Sequence, residues 1–272
     1  MSRTGPARRH RRWWLAAVAA AVVVVVAGLV SWHLADRARQ VSLSQAERHL
    51  GAAGGGVPGS GRPVPGVYTY TGSGTEHLSL PPLSQSEGPT IPGTVTLDGA
   101  HCWVFRIDYS THHWQTWHYC LHGVDLEEAG GQSWQLWSVG PVDVTNLTTF
   151  TCDSGSMALP AEGAPGRTWS SRCRGTNTSV PGVTVTSGPY RLVGTGVLTV
   201  DGTAVPVAHF HRERSDAGAQ SGTEVADVWV ERGTGLPVRL DQRIRVTTAT
   251  RFGTSTYTQV GTMRLVSTVP GR

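Results

Sequence analysis

The sequence contains no lysine, little charge of either sign and almost no helical periodicity beyond residue 50. The missing lysine fits the codon bias of a GC-rich genome and carries no functional weight. Charged residues make up 15% of the chain and hydrophobic residues 39%, with 34 glycines and 16 prolines. That balance is too apolar for a disordered chain and too rich in Gly and Pro for a helix bundle. A basic groove for phosphates is also absent. Residues 1–66 hold nine arginines against Asp36 and Glu47, whereas residues 67–272 hold fourteen arginines against seventeen acids. The net charge of +4 therefore comes from the N-terminal end, and no nucleic-acid partner is expected.

Residues 13–32 form a run without a charge, centred on the continuous apolar stretch from Ala19 to Val26. At about 1.5 Å per residue a helix of this length spans a hydrocarbon core of roughly 30 Å. Arg3, Arg8, Arg9, Arg11 and Arg12 precede it and the first acid, Asp36, follows it. The positive-inside bias then makes residues 1–12 a cytoplasmic basic tail and sends the rest of the chain out. Trp13, Trp14 and Trp32 are placed for the two interfaces. The competing reading is a cleaved, twin-arginine-like signal peptide, against which the apolar run is long and lacks a clean small-x-small site. Both readings export the bulk of the chain. Residues 33–66 read as a juxtamembrane segment with a short polar helix, then a tether rich in Gly and Pro. The extracytoplasmic domain is expected to span 67–272, which is large enough for one β core.

Cys102, Cys120, Cys152 and Cys173 all lie in that domain without C-x-x-C spacing, as expected of disulfides in an exported protein. Segments 102–108 and 114–120 alternate as a hairpin about Ser110, Thr111 and His112, which sets Cys102 opposite Cys120 and leaves Cys152 for Cys173. On this register Trp103, Phe105, Ile107 and Tyr109 share a face with Trp117 and Tyr119. Segments 142–151, 169–174 and 190–200 are also strand-like. Asp201-Gly202 has the chemistry of a tight turn into 203–212. Near the end, Leu236, Val238, Leu240, Ile244 and Val246 alternate with Arg239, Asp241, Arg243 and Arg245, and 253–267 can pair with that strand. Ten or more antiparallel strands must curl to hide an apolar face. The expected fold class is all-β, with α+β as the variant: a curved antiparallel sheet forming a half-open barrel, preceded by one transmembrane helix.

The run from Val228 to Arg239, Val-Trp-Val-Glu-Arg-Gly-Thr-Gly-Leu-Pro-Val-Arg, resembles the strand-turn-strand of periplasmic lipoprotein carriers and related sigma-regulatory periplasmic proteins. The resemblance implies an open half-barrel around lipid-like ligands, with helices plugging the concave side. This chain departs from the pattern in having no strong helical segments between strands, and no ligand residue carries over.

Candidate catalytic chemistry is incomplete. His101 before Cys102 and Ser154 after Asp153 look like the boxes of trypsin-like proteases, but only 53 residues separate them. Cys152 also stands where that family has the oxyanion-hole glycine. His101, His112, His113, His118 and His122 crowd one hairpin, and His209 and His211 share a strand face, a spacing that can serve a metal. No third ligand is identifiable from sequence, H-E-x-x-H is missing, and neither a metal nor another cofactor is expected. Asn146 and Asn177 fit glycan-acceptor triplets but read as loop and strand residues in a bacterial-looking chain.

The leading expectation is a non-enzymatic, membrane-tethered extracytoplasmic module that binds a hydrophobic ligand or a partner segment in the cell envelope, a lipid or an envelope protein being the candidate partners. Its candidate apolar face consists of Trp103, Phe105, Trp117, Tyr119, Val238, Leu240 and Ile244. One alternative is a secreted-side hydrolase or metal-binding enzyme using the His-rich hairpin. The other is a purely structural envelope scaffold or sensor.

Overall fold

A computed structural model describes residues 38–50, 61–139, 142–160, 163–251 and 253–271. The expected cytoplasmic tail and membrane span, 1–32, lie outside these residues. Among the described residues no helix is long and apolar enough to cross a membrane.

Helix α1 (Leu43–Leu50) is opened by a capping box. Ser42 Oγ accepts from the Gln45 N–H at 3.2 Å and Gln45 Oε1 accepts from the Ser42 N–H at 2.8 Å. The helix belongs to the compact unit Ala38–Arg272. It packs against the strands at 66–79 and 90–98, and its Ala46 and the preceding Val41 are buried.

The strands follow in meander order: β1 (Gly66–Ser79), β2 (Pro82–Glu87), β3 (Thr90–Asp98), β4 (Cys102–Ser110) and β5 (His113–His122). Next come β6 (Asp125–Val139), β7 (Val142–Cys152), β8 (Met157–Leu159), β9 (Thr168–Asn177) and β10 (Val183–Val200). The last four are β11 (Thr203–Gly218), β12 (Gln220–Glu231), β13 (Pro237–Thr250) and β14 (Gly253–Leu265). Strand β2 continues the line of β3 along β1, β8 is a short addition to β6, and the remaining strands close a twelve-strand antiparallel barrel.

Closure corrects the half-open barrel expected from sequence. Strands β1 and β14 pair from Tyr70↔Leu265 to Leu78↔Tyr257, joining segments nearly two hundred residues apart. Two open edges would leave rows of unpaired N–H and C=O groups, and the seam satisfies both. Small residues make the seam possible. A Cβ on Gly72 would lie 2.2 Å from the Thr262 carbonyl oxygen, and one on Gly74 would lie 2.1 Å from Glu87 Oε2.

Local sequence chemistry accounts for the hairpins. Asp201 and Gly202 both take positive φ, 46° and 73°, as a two-residue type I′ connection requires. Cys102 faces Cys120 and Cys152 faces Cys173 as direct cross-strand partners, and both disulfides form. The barrel interior is filled from one end by an aromatic and aliphatic core. Phe105 stacks on Trp117 with ring centroids 5.9 Å apart, Tyr70 meets Phe105 edge-on, and Trp169, Tyr190 and Phe210 form a second cluster. Tyr70 spans the interior to donate to the Pro237 carbonyl at 2.8 Å, which ties β1 to the start of β13.

Candidate functional site

Of the seven residues expected to form an apolar binding face, Trp103, Phe105, Trp117, Val238 and Leu240 are buried in the core and Tyr119 packs against it. Ile244 lies further along β13, where it lines the lumen at the opposite end of the barrel. All seven face inward, and six of them pack into the core.

An apolar cleft opens instead at the barrel end where β5 meets β6 and β12 meets β13, with a volume of about 640 Å³. Leu126, Leu159, Leu192 and Ala208 supply buried apolar surface, while Leu121, Val124 and Pro160 form its side. Val124 is 76% exposed at the tip of the β5–β6 hairpin, beside the cleft. The Gly233-Thr234-Gly235 turn makes the facing wall and Arg232 is the charged side chain on the lining. That turn is held by its own chemistry. Thr234 Oγ1 donates to Glu231 Oε2 at 2.5 Å, and the Gly235 N–H donates to the Glu231 carbonyl at 2.9 Å. Gly235 has φ of 75°, and a Cβ there would come within 2.8 Å of Leu126, so the close approach demands glycine.

The other end of the barrel is polar inside. A lumen of about 190 Å³ is lined by His113, Gln115, Ser133, Gln135, Asn146, Thr186, Arg214, Glu224, Tyr257 and Gln259, among others. Two buried arginines of β11 sit at its inner limit. Arg212 pairs with Glu224, and Arg214 pairs with Glu128 while its Nε donates to the Tyr190 hydroxyl at 2.8 Å. In the same half of the barrel Glu76, Glu87 and His113 converge, with His113 lining the lumen. His113 Nδ1 lies 2.6 Å from Glu76 Oε1 and 3.8 Å from Glu87 Oε1, with all three side chains buried.

Burial pushes the Glu87 carboxyl up to about 7, and the neighbouring Glu76 charge adds to the rise while the His113 hydrogen bond opposes it. Burial works against a charged imidazole at His113, but the Glu76 charge and the hydrogen bonds to both carboxylates raise it to about 9. Burial likewise opposes ionisation of Glu76, yet the His113 charge and hydrogen bonds hold its carboxyl below the ordinary value. The folded state thus binds protons at Glu87 and His113 more tightly than the unfolded state does. The stability from Glu87 is complete below 4.5 and lost as pH rises through about 7; that from His113 is complete below 6.5 and lost through about 9. Glu76 acts in the opposite sense, losing its contribution as pH falls below 4.5. Thermal melts in metal-free buffer should therefore peak near pH 5–6 and fall by several degrees at pH 9. The Glu87→Gln variant should flatten the limb between pH 5 and 7. An unchanged limb would show that Glu87 titrates normally.

Among the described residues no other histidine joins this cluster. His101 lies in the β3–β4 turn, His112 in the β4–β5 turn, and His118 points outward to Asp98 at 3.0 Å. His209 and His211 share the outer wall, where Asp227 Oδ1 receives both at 2.8 and 3.2 Å. Asp227 is the partner that sequence spacing could not supply. Ser154 is exposed in the turn after β7. Glu76 and Glu87 escaped the sequence reading because β1 and β2 show no clean alternation. The usable signal was His113 itself, at an odd position of β5 in line with Trp117 and Tyr119.

No protein-family model matches the chain, and no curated protein matches it. Among solved structures it is similar to the hypothetical lipoprotein YmcC from Escherichia coli (K12). That protein is 13% identical, and the alignment covers 82% of this chain and 97% of that one with a TM-score of 0.35. A likeness of this degree carries no argument about function.

Proposed function

We propose that the chain is a non-enzymatic, membrane-tethered extracytoplasmic module whose closed barrel presents an apolar cleft to the acyl part of a lipid-like ligand. The observation that carries the reading is the cleft at the barrel mouth, where Leu121, Val124, Leu126, Leu159 and Leu192 converge opposite the Gly233-Thr234-Gly235 turn. Its volume of about 640 Å³ lies within the roughly 300–1,000 Å³ usual for small-molecule sites. Arg232 on the lining suits an anionic head group. The N-terminal arginine asymmetry and uncharged run support the single membrane span, the outward domain and its proximity to lipid. The same charge distribution supports the absence of a nucleic-acid partner.

A fluorescent fatty-acid analogue should bind the purified protein at one equivalent. Val124→Asp, at an exposed hairpin tip, should leave the melting temperature unchanged and weaken the probe about tenfold, as expected for roughly 1.4 kcal/mol of lost apolar contact. Ile244→Ala in the lumen should leave probe affinity as it was. Equal binding by the parent and the Val124 variant would remove the cleft from consideration. The packed interior favours a second reading, a purely structural envelope module, and absence of probe binding by the parent would select it.

A further inference from the structure

Three donors from separate parts of the chain meet at the inner end of the polar lumen. Glu76 stands on β1, Glu87 ends β2, and His113 begins β5. One donor atom from each lies within 4.8 Å of the others, and all three side chains are buried. Among the described residues the ion pairs of Glu76 and Glu87 both run to His113. The lumen arginines are engaged elsewhere, Arg212 with Glu224 and Arg214 with Glu128. Two carboxylates and one imidazole therefore share a buried site, and among the described residues neither carboxylate makes an ion pair with an arginine.

We propose that Glu76, Glu87 and His113 form a binding site for a divalent transition cation of the Zn²⁺ type. The donor set is one nitrogen and two carboxylate oxygens, which suits such an ion better than the all-oxygen shells of Ca²⁺ or Mg²⁺. Two carboxylates with a neutral imidazole cancel its charge, which a buried site demands. The geometry is close to what binding needs. Metal–ligand distances of about 2.0–2.1 Å in a tetrahedral shell place donors roughly 3.3 Å apart. His113 Nδ1 now lies 2.6 Å from one carboxylate oxygen and 3.8 Å from the other, so a sub-ångström shift of the ring equalises them.

The surroundings are organised to hold the ligands. Gln85 Nε2 donates to Glu76 Oε2 at 2.9 Å and Gln259 Nε2 donates to Glu87 Oε1 at 2.6 Å, leaving the carboxylates oriented toward the imidazole. Gly74 and Gly261 pair across the β1–β14 seam and leave space for Glu87 Oε2, which a Cβ on either would meet at 2.1 and 2.9 Å. His113 lines the lumen, so the fourth coordination place can be filled by water from that side. Binding exchanges one M²⁺ for the protons held by His113 Nδ1 and the carboxyl pair, without redox change. The inference is independent of the apolar cleft, which lies at the opposite end of the barrel.

The test uses the full chain, purified and stripped with chelator, with Co²⁺ alone and Zn²⁺ alone as probes. One equivalent of Co²⁺ should give the visible bands of a four-coordinate N/O site, Zn²⁺ should bleach them, and Zn²⁺ should raise the melting temperature by several degrees. These readouts on the parent do not depend on any variant folding. Glu87→Gln, nearly isosteric and neutral, should melt no lower than the parent in chelator at pH 7 and lose at least a hundredfold in Zn²⁺ affinity. The outer-wall double variant His209→Ala/His211→Ala should keep the parent's affinity. The proposal is overturned if the parent shows neither bands nor thermal stabilisation with a tenfold excess of ion. It is equally overturned if Glu87→Gln binds within threefold of the parent, or if binding disappears in the His209/His211 variant.

Discussion

Replacing Arg214 by methionine should destabilise the protein by about 3–5 kcal/mol, the cost of leaving a buried ionic partner uncompensated. Arg214 enters the barrel interior from β11, where it pairs with Glu128 of β6 and donates through Nε to the Tyr190 hydroxyl. Glu224 lies 3.9 Å from its Nη1 and serves Arg212 as well, so loss of Arg214 leaves two carboxylates, Glu128 and Glu224, to be reconciled with one cation. Methionine fills much of the volume but supplies no donor. Urea unfolding should show the loss as a lower midpoint. The double variant Arg214→Met/Glu128→Met should recover at least half of it, because an apolar pair has no desolvation cost to repay. If the single variant unfolds at the parent's midpoint, the ion pair makes no net contribution and the polar end of the barrel owes its stability to the ladders alone.

The second large effect is expected at Trp117. The ring is buried and stacked on Phe105 at a centroid separation of 5.9 Å, within the barrel core. Trp117→Ala removes roughly the volume of a bicyclic ring from a place that strand pairing prevents from collapsing, and about 3–5 kcal/mol should be lost. Trp117→Phe keeps the stacking partner and should cost less than half as much. The contrast with the cleft matters. Trp117→Ala should lower the melting temperature strongly while leaving apolar-probe affinity of the folded protein intact, and Val124→Asp should do the reverse. Should Trp117→Ala melt like the parent, the interior would have to be looser than its packing implies.

Several elements were legible because neighbours in sequence decide them. The β4–β5 hairpin alternates with period two, so placing Trp103 and Phe105 inward puts Cys102 outward, and the turn together with a register shift between Asp108 and Ser110 sets it opposite Cys120. Asp201-Gly202 fixes its own hairpin through two positive φ angles. The Thr-Gly-Leu-Pro turn is set by bonds within Glu231–Leu236. Strands β1 to β3 were harder to read. Gly72, Gly74 and Gly93 interrupt their alternation because they make room for the seam, for Glu87 and for Tyr70.

Period-two alternation and short connections made the all-β class, the inward face of the aromatic hairpin and the Cys102–Cys120 pairing readable from sequence, and Cys152–Cys173 followed as the remaining pair. Tertiary structure alone decided that the sheet closes, because β1–β14 pairing depends on strand number and stagger summed around the whole barrel. It also decided that the expected binding face is mostly core, that the cleft lies at the rim, and that Glu76, Glu87 and His113 meet. No local pattern encodes a meeting of residues separated by 37 positions, as His113 and Glu76 are, or by 86, as Arg214 and Glu128 are. Curvature brings them together, and curvature is a property of the closed sheet rather than of any one strand.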